Sequence, residues 1–238
     1  MKPVYLPVAL AVLAALLLIV AGPGARLEWW EFRSGFFLMR LALFGGLGAA
    51  ALAALMLAVG RLRRQGKASL VVALVLGLAV AYVPWAGVQR ARSVPPIHDI
   101  TTDTARPPQF VAVLPLRASA SNPSDYGGPD VARSQLEAYP DVRPLVLDAD
   151  PTAALARAEK AARDLGWEIV AMDAEQGRME ATDTTFWFGF KDDVVVRVEP
   201  SGAGSRIDVR SVSRVGASDV GANASRIRRL LARIEAAE

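Results

Sequence analysis

The sequence predicts an α-helical membrane region of three transmembrane helices, followed by a two-layer α+β domain in which helices pack on one face of an antiparallel sheet. Three observations carry this reading. Charge-free apolar runs of about bilayer length recur three times before residue 92. From residue 150 onward, helical apolar stripes bracket stretches that alternate apolar with polar. Charge is also divided unevenly: residues 1–92 carry ten Lys/Arg against two Asp/Glu, a net of +8, and residues 93–238 carry seventeen against twenty-two, a net of −5. The domains expected are therefore 1–92, the membrane region, and 93–238, the α+β domain.

Composition narrows the function classes. The chain has 238 residues, is 53% hydrophobic and has no cysteine. That excludes disulfides, thiolate catalysis and cysteine-ligated zinc. The basic excess sits in the membrane region, not in the domain, so nothing points to a nucleic-acid partner. The partner expected of the first third is the lipid bilayer.

The spans are Val4–Gly22, Leu41–Gly60 and Ala68–Val88. Between the second and third lies Arg61–Lys67, with four cations and no acid, whereas the loop holding Arg26, Glu28, Glu31 and Arg33 is neutral. The positive-inside rule places Arg61–Lys67 and Lys2 in the cytoplasm and sends the chain out after the third span, against the weaker pull of Arg90 and Arg92. Cleavage of the first span as a signal peptide is the rival reading, and it leaves the later topology unchanged. Gly45, Gly46, Gly48, Ala49 and Ala50 form a small-residue patch suited to close helix packing. Arg40 is expected to snorkel, and Trp29, Trp30 and Trp85 to sit at the interface. The span cores hold no ionisable residue, so no transport path is indicated.

A linker, residues 90–98, is stiffened by Pro95-Pro96. Ile97–Asp103 is expected as a short edge strand. Residues 118–147, rich in Ser, Asn, Gly and Pro, predict a long irregular loop holding one helix, Val131–Ala138. Asp150 caps and Pro151 begins a helix whose stripe is Ala154, Leu155, Ala158, Ala161, Ala162 and Leu165, closed by Gly166. Strands follow at Trp167–Asp173, Arg178–Thr185, Asp193–Glu199 and Arg206–Ser213, with turns at Glu175–Gly177 and Pro200–Gly204. Arg206, Asp208 and Arg210 are expected outward. Phe186, Trp187, Phe188 and Phe190 are expected to fill core. Val220–Ile234 closes the domain as a helix with Ala224, Ile227, Leu230, Leu231 and Ile234 inward.

The segments Phe188–Val198 (FGFKDDVVVRV) and Arg210–Ile227 (RSVSRVGASDVGANASRI) resemble a bacterial family catalogued as a domain of unknown function, number fourteen ninety-nine in that series, here in a membrane-anchored form. The resemblance rests on Phe190, Asp192, Asp193, Arg210, Ser211, Ser213, Arg214, Gly216, Ser218, Asp219, Gly221, Asn223 and Arg226. It is specific over the last 50 residues and looser over about 95–185. Many relatives carry a Cys-Pro-x-x-Pro-Asn-Cys segment near the domain start; this chain has IHDITTD there, so no redox or metal role of those cysteines carries over. The resemblance implies a fold and a candidate site, and no reaction.

Arg210 and Arg214 flank a strand end, and Ser218 and Asp219 are placed to cap the last helix. Helix N-termini attract anions, and arginine forks take phosphate or carboxylate in bidentate fashion. Ser211, Ser213, Asn223 and Arg226 add hydrogen bonds, so these eight residues form a candidate site for an anionic ligand. Asp192, Asp193 and Asp208 are candidate ionic partners, and the other reading is that Asp192 and Asp193 accept from Arg210 and Arg214 and lock sheet to helix. Those carboxylates match no metal-loop spacing, and neighbouring arginines compete with a cation, so no metal and no cofactor is expected. No catalytic residue is assigned: no nucleophile, zinc or phosphate-loop motif occurs.

The chain is thus expected to be a multi-pass bacterial inner-membrane protein, N-terminus cytoplasmic, whose periplasmic domain binds an anionic small molecule or an envelope protein. Two alternatives stand beside this: a scaffolding module whose polar cluster is purely structural, and a carboxylate- or metal-dependent hydrolase built on Asp192, Asp193 and His98.

Overall fold

Three helices long and apolar enough to cross a membrane come first in the computed structural model, which describes residues 3–237. Lys2 lies outside the described residues. The helices are α1 (Leu6–Arg26), α2 (Phe32–Ala58) and α3 (Gly60–Arg92), the last broken at Gly66. Backbone hydrogen bonding carries α1 on to Arg26, α2 back to Phe32, and α3 over Arg61–Lys67, expected as a loop, and on to Arg92.

Burial in this unit is inverted relative to a water-soluble bundle. Ala11, Ala14, Ala21, Ala42, Ala49, Ala53, Ala73 and Ala81 are buried, while Leu13, Leu16, Ile19, Phe44, Leu55, Val75 and Leu78 face outward. Small residues let backbones approach, and large apolar ones meet lipid. One close approach sets Gly46 of α2 against Gly77 of α3. A Cβ on Gly46 would stand 2.6 Å from the Gly77 carbonyl oxygen, and one on Gly77 would stand 2.5 Å from that of Gly46. The small-residue patch therefore packs within the chain.

The second unit comprises residues 93–185 and 190–238. Its strands are β1 (Asp99–Thr101), β2 (Leu145–Leu147), β3 (Glu168–Asp173), β4 (Arg178–Thr184), β5 (Lys191–Ser201) and β6 (Gly204–Ser213). They form one antiparallel sheet in the order β1-β6-β5-β4-β3, with β2 also on β6. The helices are α4 (Gly128–Ala138), α5 (Pro151–Asp164) and α6 (Ala222–Glu235). Asp150 caps α5 by accepting from the Thr152 and Ala153 amides. Gln135 of α4 clamps the edge strand, donating to the Thr101 carbonyl at 2.6 Å and accepting from its amide at 2.9 Å.

One sheet face is covered by helices. Ala154, Leu155, Ala158, Ala161 and Ala162 of α5, with Ala224, Ile227, Leu230 and Ile234 of α6, pack on Met179, Ala181, Val194, Val196, Val198, Ile207 and Val209. The opposite face is covered too: Phe110 and Val113 of the segment between β1 and α4 pack on Val195 and Val212.

Three expectations change. The irregular stretch 118–147 contains β2 besides α4; three residues are too short to show alternation. Asp208 and Arg210, expected outward, are buried, because the 102–127 segment lies over their face. Phe186–Gly189 does not fill the sheet core: these residues form the β4–β5 connection and pack with the first unit, where the Phe188 ring lies 5.1 Å from that of Phe36, while Phe186 is 90% exposed.

Gly46→Leu is expected to lower the stability of the purified chain by about 2 kcal/mol or more, since backbone lies where the side chain must go. Unfolding in a titration of denaturing detergent measures it, with Gly87→Leu, which meets open space, as the unaffected control.

Candidate functional site

Side chains alternate across a strand, so the residues of β5 and β6 sort onto two faces. The register pairs Asp192 with Ser213, Val194 with Ser211 and Val196 with Val209 on the helix face. It pairs Asp193 with Val212, Val195 with Arg210 and Arg197 with Asp208 on the other. The candidate residues therefore do not form one site. They divide into two networks separated by the thickness of the sheet.

On the helix face, Arg226 of α6 reaches down to the sheet. Its Nε donates to Asp183 at 2.7 Å, one terminal nitrogen pairs with Asp192, and the other donates to Asn223. Asp183 and Asp192 are direct cross-strand partners, so Arg226 bridges two carboxylates that would otherwise repel. The Ser211 hydroxyl donates to Asn223 Oδ1 at 2.7 Å. Asn223 Nδ2 donates to Ser213 Oγ at 3.0 Å and to the His98 carbonyl at 2.9 Å. Burial pushes the Asp192 carboxyl above its usual range, with Arg226 opposing.

The α6 N-terminus is already occupied. Asp219 accepts from the Asn223 amide at 2.7 Å and the Gly221 amide at 2.8 Å, and Ser218 Oγ accepts from the Val220 amide at 3.1 Å. Burial raises the Asp219 carboxyl, with those two amides opposing. Asp219 thus stands where an external anion was expected.

On the second face, Arg210 is fully buried. It pairs bidentately with Asp99 at 2.9 and 2.7 Å and donates to the carbonyls of Pro108 and Ser124. The rings of Phe110 and Tyr126 lie 5.1 and 5.5 Å from its guanidinium carbon. Burial, with the Asp99 carboxylate adding to it, pushes the Tyr126 hydroxyl up to about 12. Arg214 forks onto Asp193 at 2.9 and 2.8 Å, and Arg117 reaches the same carboxylate at 2.6 Å. Asp208 accepts from Thr102, Arg197 and Arg206. Glu180 accepts from the consecutive amides of Val111, Ala112 and Val113.

Of the expected ion pairs, Asp193 with Arg214 forms as anticipated. Asp192 instead meets Arg226, and Arg210 meets Asp99, because alternation separates each from the partner proposed. Sequence reasoning did not single out Asp99, Arg117, Glu180, Thr182 and Asp183. Counting the ladder back from the two-residue turn Gly202-Ala203 gives Arg197 opposite Asp208 and Glu199 opposite Arg206, a sign that this face is paired within the chain.

Chemically, both networks are closed. An anion seeking Arg210 or Arg226 must displace Asp99 or Asp192. His98 lines a small opening of about 120 Å³ with Asp99 and Asp125, and neither Asp192 nor Asp193 lies there. The three groups required for a hydrolytic centre are thus not brought together. Among the described residues, no group of three His, Asp or Glu side chains is placed to hold a metal ion.

Burial pushes the Asp193 carboxyl up, but bonds from Arg214, Thr182 and Arg117 outweigh it and hold the carboxyl below its ordinary value of 3.8. A lowered folded pKa gives stability that is complete above the unfolded value and is lost as pH falls through the folded one. Asp193→Asn is therefore expected to cost about 3–5 kcal/mol at pH 7, leaving two arginines without their carboxylate. The gap between wild type and variant should narrow below pH 3.8, in urea unfolding followed at pH 7 and at pH 2–3.

Residues 99–234 match the family model described as "Protein of unknown function (DUF1499)". No match is found among curated proteins. The matched stretch runs from the first residue of β1 into α6 and takes in both ionic networks. It covers more than half of the chain, which therefore belongs to the DUF1499 family and carries it behind three membrane-crossing helices.

Proposed function

We propose that this chain is a multi-pass protein of the bacterial inner membrane whose α+β domain faces the periplasm and serves as a binding module for a component of the cell envelope. One observation carries the binding-module reading. The polar residues that look like a site are consumed in fastening the domain together, which suits a rigid frame that recognises through its surface. An enzyme of this size would more naturally gather its reactive groups around an opening. The placement rests on Arg61, Arg63, Arg64 and Lys67, between the second and third apolar spans at the start of α3, against a neutral first loop. An envelope component, either a protein or an anionic molecule, is the partner such a placement offers.

The absence of cysteine makes the topology directly testable. Ala203→Cys lies in the exposed β5–β6 turn and Gln65→Cys in the exposed basic segment at the start of α3. A membrane-impermeant maleimide, applied to cells with a permeabilised outer membrane, is expected to label Ala203→Cys and to reach Gln65→Cys only once the inner membrane is opened. The reverse pattern places the domain in the cytoplasm and overturns the reading.

A further inference from the structure

The 102–127 segment does not cover the second sheet face completely. Between residues 105–109, the β3–β4 turn and strands β4 and β5, a cleft of about 490 Å³ remains open. That volume lies in the range of small-molecule sites. Its polar lining is Arg106, Gln109, Gln176, Arg178 and Arg197.

Two features of this lining are unusual for a merely structural surface. Arg178 and Arg197 are direct cross-strand partners, and like charges opposite one another disfavour a ladder. Each is steadied from outside the pair: Arg178 by Asp173 at 2.9 Å and Glu180 at 3.3 Å, Arg197 by Asp103 at 3.0 Å and Asp208 at 2.9 Å. Arg197 nevertheless keeps its Nε buried without a hydrogen-bond acceptor, which native structures rarely tolerate. An oxygen of Glu199 stands 3.7 Å from that nitrogen. It is held there by Arg106, whose two terminal nitrogens grip both Glu199 oxygens. The Arg106 side chain is 64% exposed, so Glu199 spends its charge on a surface arginine while the buried Nε of Arg197 has no acceptor.

We propose that this cleft binds a small ligand bearing a phosphate or carboxylate group, and that Glu199 occupies the ligand's place in the free protein. The incoming oxyanion takes Arg106 in the bidentate geometry that guanidinium favours. Arg178 and the carboxamides of Gln109 and Gln176 complete the lining. Glu199, released from Arg106, swings onto Arg197 Nε, so ligand binding satisfies the buried donor. This rests on the reading of the domain as a binding module and gives that module a site distinct from both closed networks. A soluble metabolite and a lipid headgroup share this oxyanion chemistry.

The test uses the full chain in nanodiscs of phosphatidylcholine, titrated calorimetrically with pyrophosphate and with glycerol 3-phosphate. Gln109→Glu adds a carboxylate to the cleft without touching an ion pair, and Glu199→Gln removes the competing one. Arg229→Glu, on α6, is the control. Saturable binding is expected, at least about tenfold weaker in Gln109→Glu, tighter in Glu199→Gln and unchanged in Arg229→Glu. If doping the nanodiscs with phosphatidylglycerol competes with pyrophosphate, the source is a lipid headgroup; if it does not, the source is a soluble oxyanion. No saturable binding of either probe, or equal effects in all three variants, overturns the proposal. The maleimide experiment is independent of it, so failure here leaves the placement of the domain standing.

Discussion

A charged side chain on a covered sheet face must find a partner there, and most of this domain follows from that requirement. Strand β5 carries charge on both faces and β6 on the second, and helices lie over one face and the 102–127 segment over most of the other. Arg210 shows the consequence most fully. One guanidinium ties β6 to Asp99 on β1, to two carbonyls of the covering segment and to the rings of Phe110 and Tyr126. Removing one member of a buried pair costs about 3–5 kcal/mol, a large share of the roughly 5–15 kcal/mol that holds a typical domain folded. The pairing is thus a condition of the fold, and it keeps the 102–127 segment in place although that segment has almost no regular structure.

What was legible in the sequence was what depends on periodicity. The stripes of α5 and α6, the Asp150 cap, a hairpin connection within Pro200–Gly204 and the three apolar spans all follow from local patterns, and the structure has them, the connection as the two-residue turn Gly202-Ala203. The contents of the candidate cluster were legible as well, but its arrangement was not. Arg210–Arg226 is continuous in sequence, and proximity along the chain suggests one surface. Alternation sends Arg210 and Arg214 to one face and Ser211 and Ser213 to the other, where Asn223 and Arg226 of α6 meet them. The polar face of β6 also looked solvent-exposed, because what covers it is an irregular segment a hundred residues earlier, with no period to announce it. Short β2 and the aromatic β4–β5 connection were hidden for the same reason: each is defined by what it packs on and not by its own pattern.

The residues that carry the family resemblance are largely those that fasten the domain. Asp192, Asp193, Arg210, Arg214, Asp219, Asn223 and Arg226 each hold a partner within the chain. A motif of this kind reports how a fold is tied together. On the binding reading proposed above, recognition falls to surfaces outside the motif, and the arginine-lined cleft beside Glu199 is the candidate. The contrast is physical. The guanidiniums of Arg210 and Arg226 are buried and matched to carboxylates, whereas Arg106 is exposed and matched to a carboxylate that stands 3.7 Å from the acceptor-less Nε of Arg197.

The central claim is that the 102–127 segment is a clamped layer of the domain, as firmly held as the strands it covers. Hydrogen exchange of the full chain, followed by mass spectrometry on peptides spanning Val111–Val113, addresses it most directly. Those three amides donate to the buried Glu180 carboxylate. The account predicts that they exchange on the timescale of β5 and β6. Exchange at the rate of an unstructured peptide would contradict it, and would mean that the second sheet face is open to solvent.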